Sequence, residues 1–379
     1  MGKRICYIVN TDWAFLNFRL PIAQACLKKG YEVFVITEVT DNKIVSSLEE
    51  KGIIVQDLDF KRKNSNPLRL IYIILKITVL LIKIKPSLIH LIAIKPVLLG
   101  GIATRIVGID RVIIAVTGLG STFLGKSIWD QIRKNLIKML YRISLGGNNV
   151  HAIFQNKDDK DEINNIVNLS NTYLIKGSGV DLNKFSYQKE NLDQNPQVLM
   201  VSRLIRDKGV IEFCEAAKQI KEEGSVAQFY IVGELDHGNP SCIDQKEIDL
   251  YSVNNHVIFK GYTDNILREL INCNLFVLPS YGEGFPKSII EASSIGRAII
   301  TTNVSGCRDA VVNKKNGFIV ECKDVGELKS KIKYLLTNIE ERMRMGRESR
   351  LIAEKTYSIN KVVEKHLEIY KRSENHINN

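Results

Sequence analysis

The sequence predicts an α/β protein with two doubly wound domains, each a parallel sheet with helices on both faces. The chain has 379 residues, which suits two domains of ordinary size better than one core. Short apolar runs without polar alternation are separated by helical stretches, as in parallel sheets covered on both faces. Residues 186–196 are rich in Asn, Asp, Gln and Pro and predict a linker. We therefore expect an N-terminal domain over residues 1–190 and a C-terminal domain over residues 191–379.

The predicted strands are spread along both halves of the chain. Residues 21–29, between the first two strands, predict a helix that ends at Gly30. The strands predicted in the first domain are residues 4–9, 31–37, 87–91 and 111–116. Those predicted in the second domain are residues 197–201, 228–232, 257–260, 275–278 and 298–301. Ligands of such sheets bind beyond the carboxyl ends of the strands, so we expect a site in a cleft where the two domains face each other.

Composition indicates a globular protein of a reducing compartment. Hydrophobic residues make up 45% of the chain and charged residues 25%, which excludes disordered and fibrous classes. The seven cysteines are scattered and include no Cys-x-x-Cys pair, as is typical of unpaired thiols. The first apolar run is too short for a signal peptide and predicts a strand instead. We therefore expect a cytoplasmic protein.

The net charge of +11 is concentrated in the first half of the chain. Residues 1–190 hold 27 Lys and Arg against 16 Asp and Glu, whereas residues 191–379 hold 26 of each kind. This asymmetry points to an anionic partner of the first domain, which is an acidic lipid, a substrate with a pyrophosphate, or nucleic acid. The alternative is that these lysine-rich surfaces are simply solvated.

Two segments of the first domain, residues 67–86 and 128–145, predict amphipathic helices. Their basic residues are Arg69, Lys76 and Lys83 in the first and Arg133, Lys134, Lys138 and Arg142 in the second. The first segment is too short and too interrupted by charge to predict a membrane span. A helix with a basic stripe and an apolar body can lie on an anionic membrane surface, or it can pack normally with the stripe in water. Together with the charge asymmetry, the segments favour peripheral membrane contact.

The most informative motif is Ser-Tyr-Gly-Glu-Gly-Phe-Pro-Lys-Ser-Ile-Ile-Glu-Ala at residues 280–292, which follows a predicted strand and opens a helix. Gly282 and Gly284 allow a sharp turn and close approach to a ligand. The amides at the start of the helix can bind a phosphate. Glu283 can accept hydrogen bonds from sugar hydroxyls, and Glu291 can accept two from a ribose.

A second motif, Ser-Arg-Leu-Ile-Arg-Asp-Lys-Gly at residues 202–209, also follows a predicted strand. Arg203 can bind phosphate oxygens with its planar fork, and Lys208 supplies a compact charge, as a departing nucleoside diphosphate requires. Either motif alone fits a basic turn or a pair of surface glutamates. Both together, in this order, favour a nucleotide-sugar site.

The pattern Arg203-x4-Lys208-Gly with Glu283-x7-Glu291 resembles the donor site of retaining glycosyltransferase family 4, which has the GT-B fold of two Rossmann-like domains. The resemblance covers nearly the whole chain. It implies that Arg203 and Lys208 bind the diphosphate of a UDP-sugar, Glu291 the ribose and Glu283 the sugar. It also implies that a final helix near residues 359–370 crosses back to the first domain. The implied donor-binding residues are Arg203, Lys208, Gly233, Glu283, Gly284, Phe285, Pro286, Lys287 and Glu291.

The first domain resembles bacterial transferases that extend sugars linked to undecaprenyl diphosphate, with N-acetylgalactosaminyltransferases among the closer likenesses. The resemblance is carried by Asn-Phe-Arg-Leu-Pro at 17–21, by His90 with Lys95-Pro96, and by Thr-Gly-Leu-Gly-Ser at 117–121. The implied acceptor-binding residues are Asn17, Arg19, His90, Lys95, Gly118 and Gly120. For His90 a structural histidine that ends a strand is an equal alternative.

One position departs from the family pattern. Many members have a histidine after the fifth strand of the first domain, where this chain has Thr117. Because threonine does not titrate near neutral pH, any hydrogen bond to the reacting groups there has to come from its hydroxyl or from the amides of residues 118–120. The resemblance then implies a catalytic set of Glu283, Lys208, Arg203 and Thr117.

No metal or cofactor is expected, because no His, Cys and Asp cluster has metal-ligand spacing and Asp57-Leu-Asp59 lies far from the donor motifs. The predicted function is retaining transfer of a hexose or N-acetylhexosamine, from UDP-GalNAc or UDP-GlcNAc, to an undecaprenyl-diphosphate-linked saccharide in O-antigen, capsule or glycan assembly. The enzyme is expected on the inner face of the plasma membrane.

Other functions fit the sequence less well. The main alternative is a UDP-sugar epimerase of the same fold, with Glu283 as acid or base. Nucleic-acid binding is disfavoured because residues 61–142 contain only four aromatic residues. A nicotinamide enzyme is disfavoured because no Gly-x-Gly-x-x-Gly follows the first strand.

Overall fold

The computed structural model describes residues 3–60, 67–119, 128–146 and 150–375. The chain forms two compact units. Unit 1 contains Met1–Ser178 and Asn360–Asn379, and unit 2 contains Gly179–Ile359. Each unit has its own parallel sheet, so the predicted α/β class with two doubly wound domains is confirmed.

Unit 1 has a seven-stranded parallel sheet in the order β3-β2-β1-β4-β5-β6-β7. The strands are β1 (Arg4–Thr11), β2 (Glu32–Glu38), β3 (Ile53–Asp57), β4 (Leu88–Ile92), β5 (Val112–Val116), β6 (Val150–Phe154) and β7 (Asn171–Leu174). The helices are α1 (Asp12–Phe18), α2 (Leu20–Lys28), α3 (Asn42–Glu49), α4 (Pro67–Ile84), α5 (Gly101–Val107), α6 (Ile128–Leu145) and α7 (Lys157–Ile166). Every residue of β4, β5 and β6 is buried, which explains their unbroken apolar sequences.

Unit 2 has a six-stranded parallel sheet in the order β10-β9-β8-β11-β12-β13. The strands are β8 (Gln197–Val201), β9 (Gln228–Val232), β10 (Ile258–Phe259), β11 (Leu275–Leu278), β12 (Ala298–Thr302) and β13 (Gly317–Val320). The helices are α8 (Val210–Glu222), α9 (Gln245–Ser252), α10 (Ile266–Asn272), α11 (Lys287–Ile295), α12 (Cys307–Ala310), α13 (Val325–Thr337) and α14 (Ile339–Ile352). Each strand predicted from the sequence is present, and β3, β6, β7 and β13 are additional.

The last helix, α15 (Ile359–Asn375), packs within unit 1. Its Val362, Ile369 and Tyr370 join the core beneath β1 and β2. Arg111, just before β5, donates a hydrogen bond of 2.9 Å to the Tyr370 carbonyl and pairs with Glu374 at 3.2 Å. Helix α15 is therefore fixed to the sheet by both apolar and polar contacts.

The polar segment 186–196, predicted as a linker, is anchored in unit 2. Arg297 donates to the Gln188 carbonyl at 2.7 Å, and Arg342 pairs with Glu190 at 2.9 Å while both side chains are almost fully buried. Gln188 and Glu190 thus bind buried arginines, whereas residues 191–195 are exposed. The boundary between the units lies at Ser178 instead of residue 190, and residues from Asn360 onward return to unit 1.

Candidate functional site

Three loops of unit 2 lie side by side at the carboxyl edge of its sheet. β8 pairs with β9 on one side and with β11 on the other, so the loops that follow these strands are neighbours. The loop after β8 is joined to the loop after β11 because Asp207 accepts hydrogen bonds at its carbonyl from the Tyr281 amide at 2.8 Å and the Ser280 hydroxyl at 3.1 Å. The two sequence motifs therefore form one structural site.

Lys208 and Glu283 meet at the centre of this site. The Lys208 ammonium lies 2.5 Å from Glu283 Oε1, and the two side chains are only 16% and 15% exposed. The sequence predicted both residues but not their contact. A partly buried cation paired with a carboxylate is held in place by a charge-assisted hydrogen bond.

Arg203, directly beyond β8, pairs with an acid that the sequence analysis did not single out. Its Nη1 lies 2.5 Å from Asp236 Oδ2, in the loop after β9. No motif or fixed spacing marks Asp236, so only the strand order of the sheet reveals it. The site thus has two cations, each beside a carboxylate.

Two glycines make these close approaches possible. Gly233, predicted as a ligand contact, has φ +152°, and a Cβ there would lie 1.7 Å from the Ser202 carbonyl. Its visible role is therefore to let the loops after β8 and β9 touch. Gly306 has φ +75°, and a Cβ would lie 2.4 Å from the Glu283 carbonyl. The segment before Gly306 supports the Glu283 loop, because the Ser305 carbonyl accepts the Glu283 amide at 3.1 Å.

Glu291 lies on α11 with its side chain only 11% exposed. Burial raises its pKa to about 7, although nearby Lys287 and Lys184 act in the opposite direction. The Lys287 ammonium is 3.9 Å from the carboxylate, and burial lowers the pKa of Lys287. Hydroxyl groups of a ligand that donate hydrogen bonds to this carboxylate would favour its ionised form.

The remaining residues predicted for this loop have structural contacts. Phe285 is buried, and its ring packs edge-on against Tyr357 with the ring centres 5.6 Å apart. Pro286 is also buried and immediately precedes α11, and Gly284 is buried beside it. The Phe285 side chain is therefore held by packing, and contact of Gly284, Phe285 and Pro286 with a donor stays a prediction.

Several residues predicted to contact an acceptor lie in the interior of unit 1. His90 is fully buried, and its Nδ1 lies 2.6 Å from the Tyr370 hydroxyl of α15. Burial lowers its pKa well below the usual range. Arg19 is 3% exposed at the junction of α1 and α2. This burial favours the structural alternative for His90, and acceptor contact by His90 and Arg19 stays a prediction.

The other predicted acceptor residues have mixed positions. Asn17 is exposed at the end of α1, where its amide donates to the Trp13 carbonyl at 2.9 Å. The Lys95 ammonium donates to the Phe60 carbonyl at 3.2 Å. Thr117 and Gly118 follow β5 directly and are partly exposed. Gly120 lies outside the described residues.

A tyrosine and an acid near the donor motifs were not found from the sequence. The Tyr281 hydroxyl donates to Glu212 Oε1 at 2.6 Å, and this contact ties the loop after β11 to the first turn of α8. The Lys323 ammonium lies 4.7 Å from the centre of the Tyr281 ring. These contacts hold the loop that carries Glu283.

Two features are absent from the described part of the chain. No three His, Cys, Asp or Glu side chains there lie together as a metal site requires. None of the helices described has the length and apolar character needed to cross a bilayer.

Comparison with known proteins identifies the family. The family model "Glycosyl transferase 4-like" matches residues 4–156, and "Glycosyl transferases group 1" matches residues 183–351. An N,N'-diacetylbacillosaminyl-diphospho-undecaprenol alpha-1,3-N-acetylgalactosaminyltransferase from Campylobacter jejuni is 31% identical, over 97% of this chain and 98% of its own length. The chain is a glycosyltransferase of family 4. The resemblance seen in the sequence is confirmed.

Further similarities support this assignment. A UDP-Gal:alpha-D-GlcNAc-diphosphoundecaprenol alpha-1,3-galactosyltransferase from Escherichia coli is 32% identical over 39% of the present chain and 41% of its own length. A sucrose-phosphate synthase from Thermosynechococcus elongatus superposes with a TM-score of 0.78 at 20% identity, over 98% of both chains. HepE from Anabaena, solved with UDP, superposes with a TM-score of 0.75 at 18% identity, over 98% of this chain and 100% of its own. These two structures confirm the GT-B fold.

The support of the Glu283 loop by Gly306 is testable by comparing Gly306→Ala with Gly261→Ala. Both glycines have positive φ, but an added Cβ at Gly261 meets no atom within 4 Å. We expect a stability loss of about 1 kcal/mol for Gly261→Ala and roughly 2 kcal/mol or more for Gly306→Ala, because only the latter adds a backbone clash. Hydrogen–deuterium exchange of residues 280–286 should accelerate in Gly306→Ala alone. Equal exchange in both variants would contradict the support described here.

Proposed function

We propose that this glycosyltransferase transfers a hexose or N-acetylhexosamine from a UDP-sugar to a saccharide carried on undecaprenyl diphosphate, during O-antigen, capsule or glycan assembly. The observation that carries the proposal is the meeting of Arg203, Lys208 and Glu283 at one sheet edge. The Campylobacter and Escherichia relatives, both named for diphosphoundecaprenol-linked acceptors, support the lipid-linked acceptor. The first of these names supports UDP-GalNAc, with UDP-GlcNAc as the related donor.

In this proposal the donor is held by residues of unit 2. Arg203 and Lys208 bind the diphosphate, and the amides around Gly284 and at the start of α11 add hydrogen bonds to it. Glu291 accepts the two ribose hydroxyls. When Lys208 turns to the phosphate, the Glu283 carboxylate becomes available to a hydroxyl of the donor sugar.

Sugar transfer then depends on stabilising the departing UDP. As the bond to the sugar breaks, negative charge grows on the β-phosphate, and Lys208 and Arg203 are fixed cations that favour this state. These cations supply the charge that a divalent ion supplies in other transferases, so we infer metal-independent transfer. The acceptor hydroxyl attacks on the donor's own face and passes its proton to the departing phosphate, which retains the anomeric configuration. The Thr117 hydroxyl and Gly118 amide are the polar groups proposed beside this reaction.

Unit 1 is proposed to carry the acceptor at a membrane surface. One face of α4 exposes apolar side chains, each more than half accessible to solvent, at Leu68, Ile71, Tyr72, Leu75, Val79 and Ile82. Neighbouring α5 and α6 add exposed Ile106, Leu136, Met139 and Ile143. A broad apolar face on a strongly basic unit fits the inner surface of the plasma membrane, where the lipid is anionic and the acceptor is embedded.

The transfer reaction is tested with a panel of UDP-sugars and a short-chain polyprenyl-diphosphate saccharide, with and without EDTA. We expect product from one donor, only when the acceptor is present, undiminished by EDTA and with retained configuration by NMR. Lys208→Ala should lower kcat by about 100-fold or more, because charge on the leaving phosphate peaks in the transition state. Donor that is isomerised equally well without acceptor would contradict transfer and indicate the epimerase.

The ribose role of Glu291 predicts a specific pH dependence of UDP binding. An ionised carboxylate accepts the ribose hydroxyls, and with a pKa of about 7 its ionised fraction rises between pH 6 and pH 8. UDP affinity should therefore rise with pH, by up to roughly tenfold over that interval. Glu291→Gln should lose this component and retain only the dependence that arises from UDP itself. Parallel pH profiles for the two proteins, measured by calorimetry, would contradict the assignment.

Membrane contact through α4 is tested with Ile71→Glu/Leu75→Glu in vesicles of phosphatidylcholine and phosphatidylglycerol. Leu250→Glu is the matched control, because Leu250 of unit 2 is 59% exposed and Leu75 is 58% exposed. The double variant should lower vesicle binding at least about tenfold, since each apolar side chain is worth roughly 1.5 kcal/mol when buried. The control should bind like the wild type. Unchanged binding of the double variant would contradict this orientation.

A further inference from the structure

Asp236 lies beside the cation that begins the donor site, yet it belongs to a different loop. It follows β9, and its carboxylate is 2.5 Å from Arg203 Nη1. The Asp236 side chain is 18% exposed and that of Arg203 is 47% exposed. The acid is therefore the more enclosed partner, and the arginine is the one whose end reaches solvent.

The backbones of these two residues are fixed to each other. The Leu204 amide donates to the Glu234 carbonyl at 2.8 Å, and the Arg206 amide donates to the Ser241 carbonyl at 2.7 Å. The loop after β9 thus forms a short ladder with the segment that carries Arg203. Because these backbone contacts hold the two loops together, a change in the ion pair requires a rotation of the Arg203 or the Asp236 side chain.

A diphosphate on Arg203 would bring a second anion to the same guanidinium. Two anions on one cation repel each other, so a phosphate that binds the Nη1 side of the fork competes with the carboxylate for this nitrogen. Lys208 shows the same pattern, since it is held by Glu283. Both cations assigned to the donor site are thus paired with acids.

We propose that Asp236 is an exchangeable counter-ion of Arg203, a positioning residue that holds the guanidinium in the empty site and yields it to the diphosphate of a nucleotide. The Asp236–Arg203 ion pair forms again as the nucleoside diphosphate leaves. Asp236 therefore accelerates product release and lowers the affinity of the site for the nucleotide. This inference rests on the donor site of the proposed function. The alternative is a static role, in which Asp236 orients Arg203 for the phosphate and remains bound to it.

The two roles predict opposite effects of Asp236→Asn. If Asp236 exchanges, the amide competes less strongly for Arg203, and UDP should bind about threefold to fivefold more tightly, the scale of a partly exposed ion pair. The dissociation rate of UDP should fall by a similar factor. If Asp236 only orients Arg203, the variant should bind UDP more weakly.

A neighbouring ion pair provides a matched control. Arg206 Nη2 lies 2.6 Å from Glu247 Oε1, with side chains 51% and 22% exposed, which is close to the geometry and exposure of the Arg203–Asp236 pair. Glu247→Gln removes the same charge from the same region without touching Arg203. It should leave UDP binding within about twofold of the wild type, as a surface pair outside the site would.

The experiment is calorimetric titration and stopped-flow dissociation of UDP with wild type, Asp236→Asn, Glu247→Gln, Arg203→Gln and the double variant Arg203→Gln/Asp236→Asn. Exchange predicts tighter binding for Asp236→Asn and no further effect of that change in the Arg203→Gln background. Weaker or unchanged binding by Asp236→Asn overturns the inference. Equal tightening in the Arg203→Gln background also overturns it, because the effect would then be general charge removal.

Inorganic pyrophosphate is the second probe, because it carries the charge of the diphosphate and lacks the nucleoside. If the enzyme fails to transfer sugar from any UDP-sugar, the proposed function fails, while pyrophosphate still reports on Arg203. Tighter pyrophosphate binding by Asp236→Asn supports the exchange, and weaker or equal binding overturns it. The two failures are therefore distinguishable.

Discussion

The contact between Lys208 and Glu283 depends on the pairing of two parallel strands that are far apart in sequence. β8 and β11 are neighbours in the sheet of unit 2, so the loops beyond their carboxyl ends meet and share hydrogen bonds at Asp207. Together they hold a cation and a carboxylate 2.5 Å apart in a partly enclosed position. Glycines with positive φ permit this close packing, and the surrounding polar contacts keep the loops in register.

The sequence predicted the strands and the charged residues of this site because both have local signatures. Apolar runs mark the strands, and the spacing of Arg203, Lys208, Glu283 and Glu291 marks the loops. Asp236 was missed because its partner lies 33 residues away and no pattern links them. For His90 the sequence left acceptor contact and a structural role as equal alternatives, because a polar residue in a strand gives the same pattern whether it faces a ligand or a buried tyrosine. Contacts between distant segments decide these cases.

The two units differ in the surfaces that they present. Unit 2 carries most of the balanced half of the chain and concentrates its charges in paired contacts. Unit 1 contains most of the excess positive charge and exposes a stripe of apolar side chains along α4. The sequence predicted a basic stripe on this helix, but Arg69 pairs with Asp59 at 2.6 Å and the exposed face is mainly apolar. In the proposed reaction the nucleotide binds charged residues of unit 2, and the lipid-linked acceptor binds the basic and apolar surface of unit 1.

A crystal structure with UDP tests the assignment of the donor site through the position of the diphosphate. We expect phosphate oxygens within hydrogen-bonding distance of Arg203 and Lys208, the ribose hydroxyls on Glu291, and Glu283 separated from Lys208. A diphosphate bound elsewhere, with the Lys208–Glu283 contact intact, would contradict the assignment of the donor site.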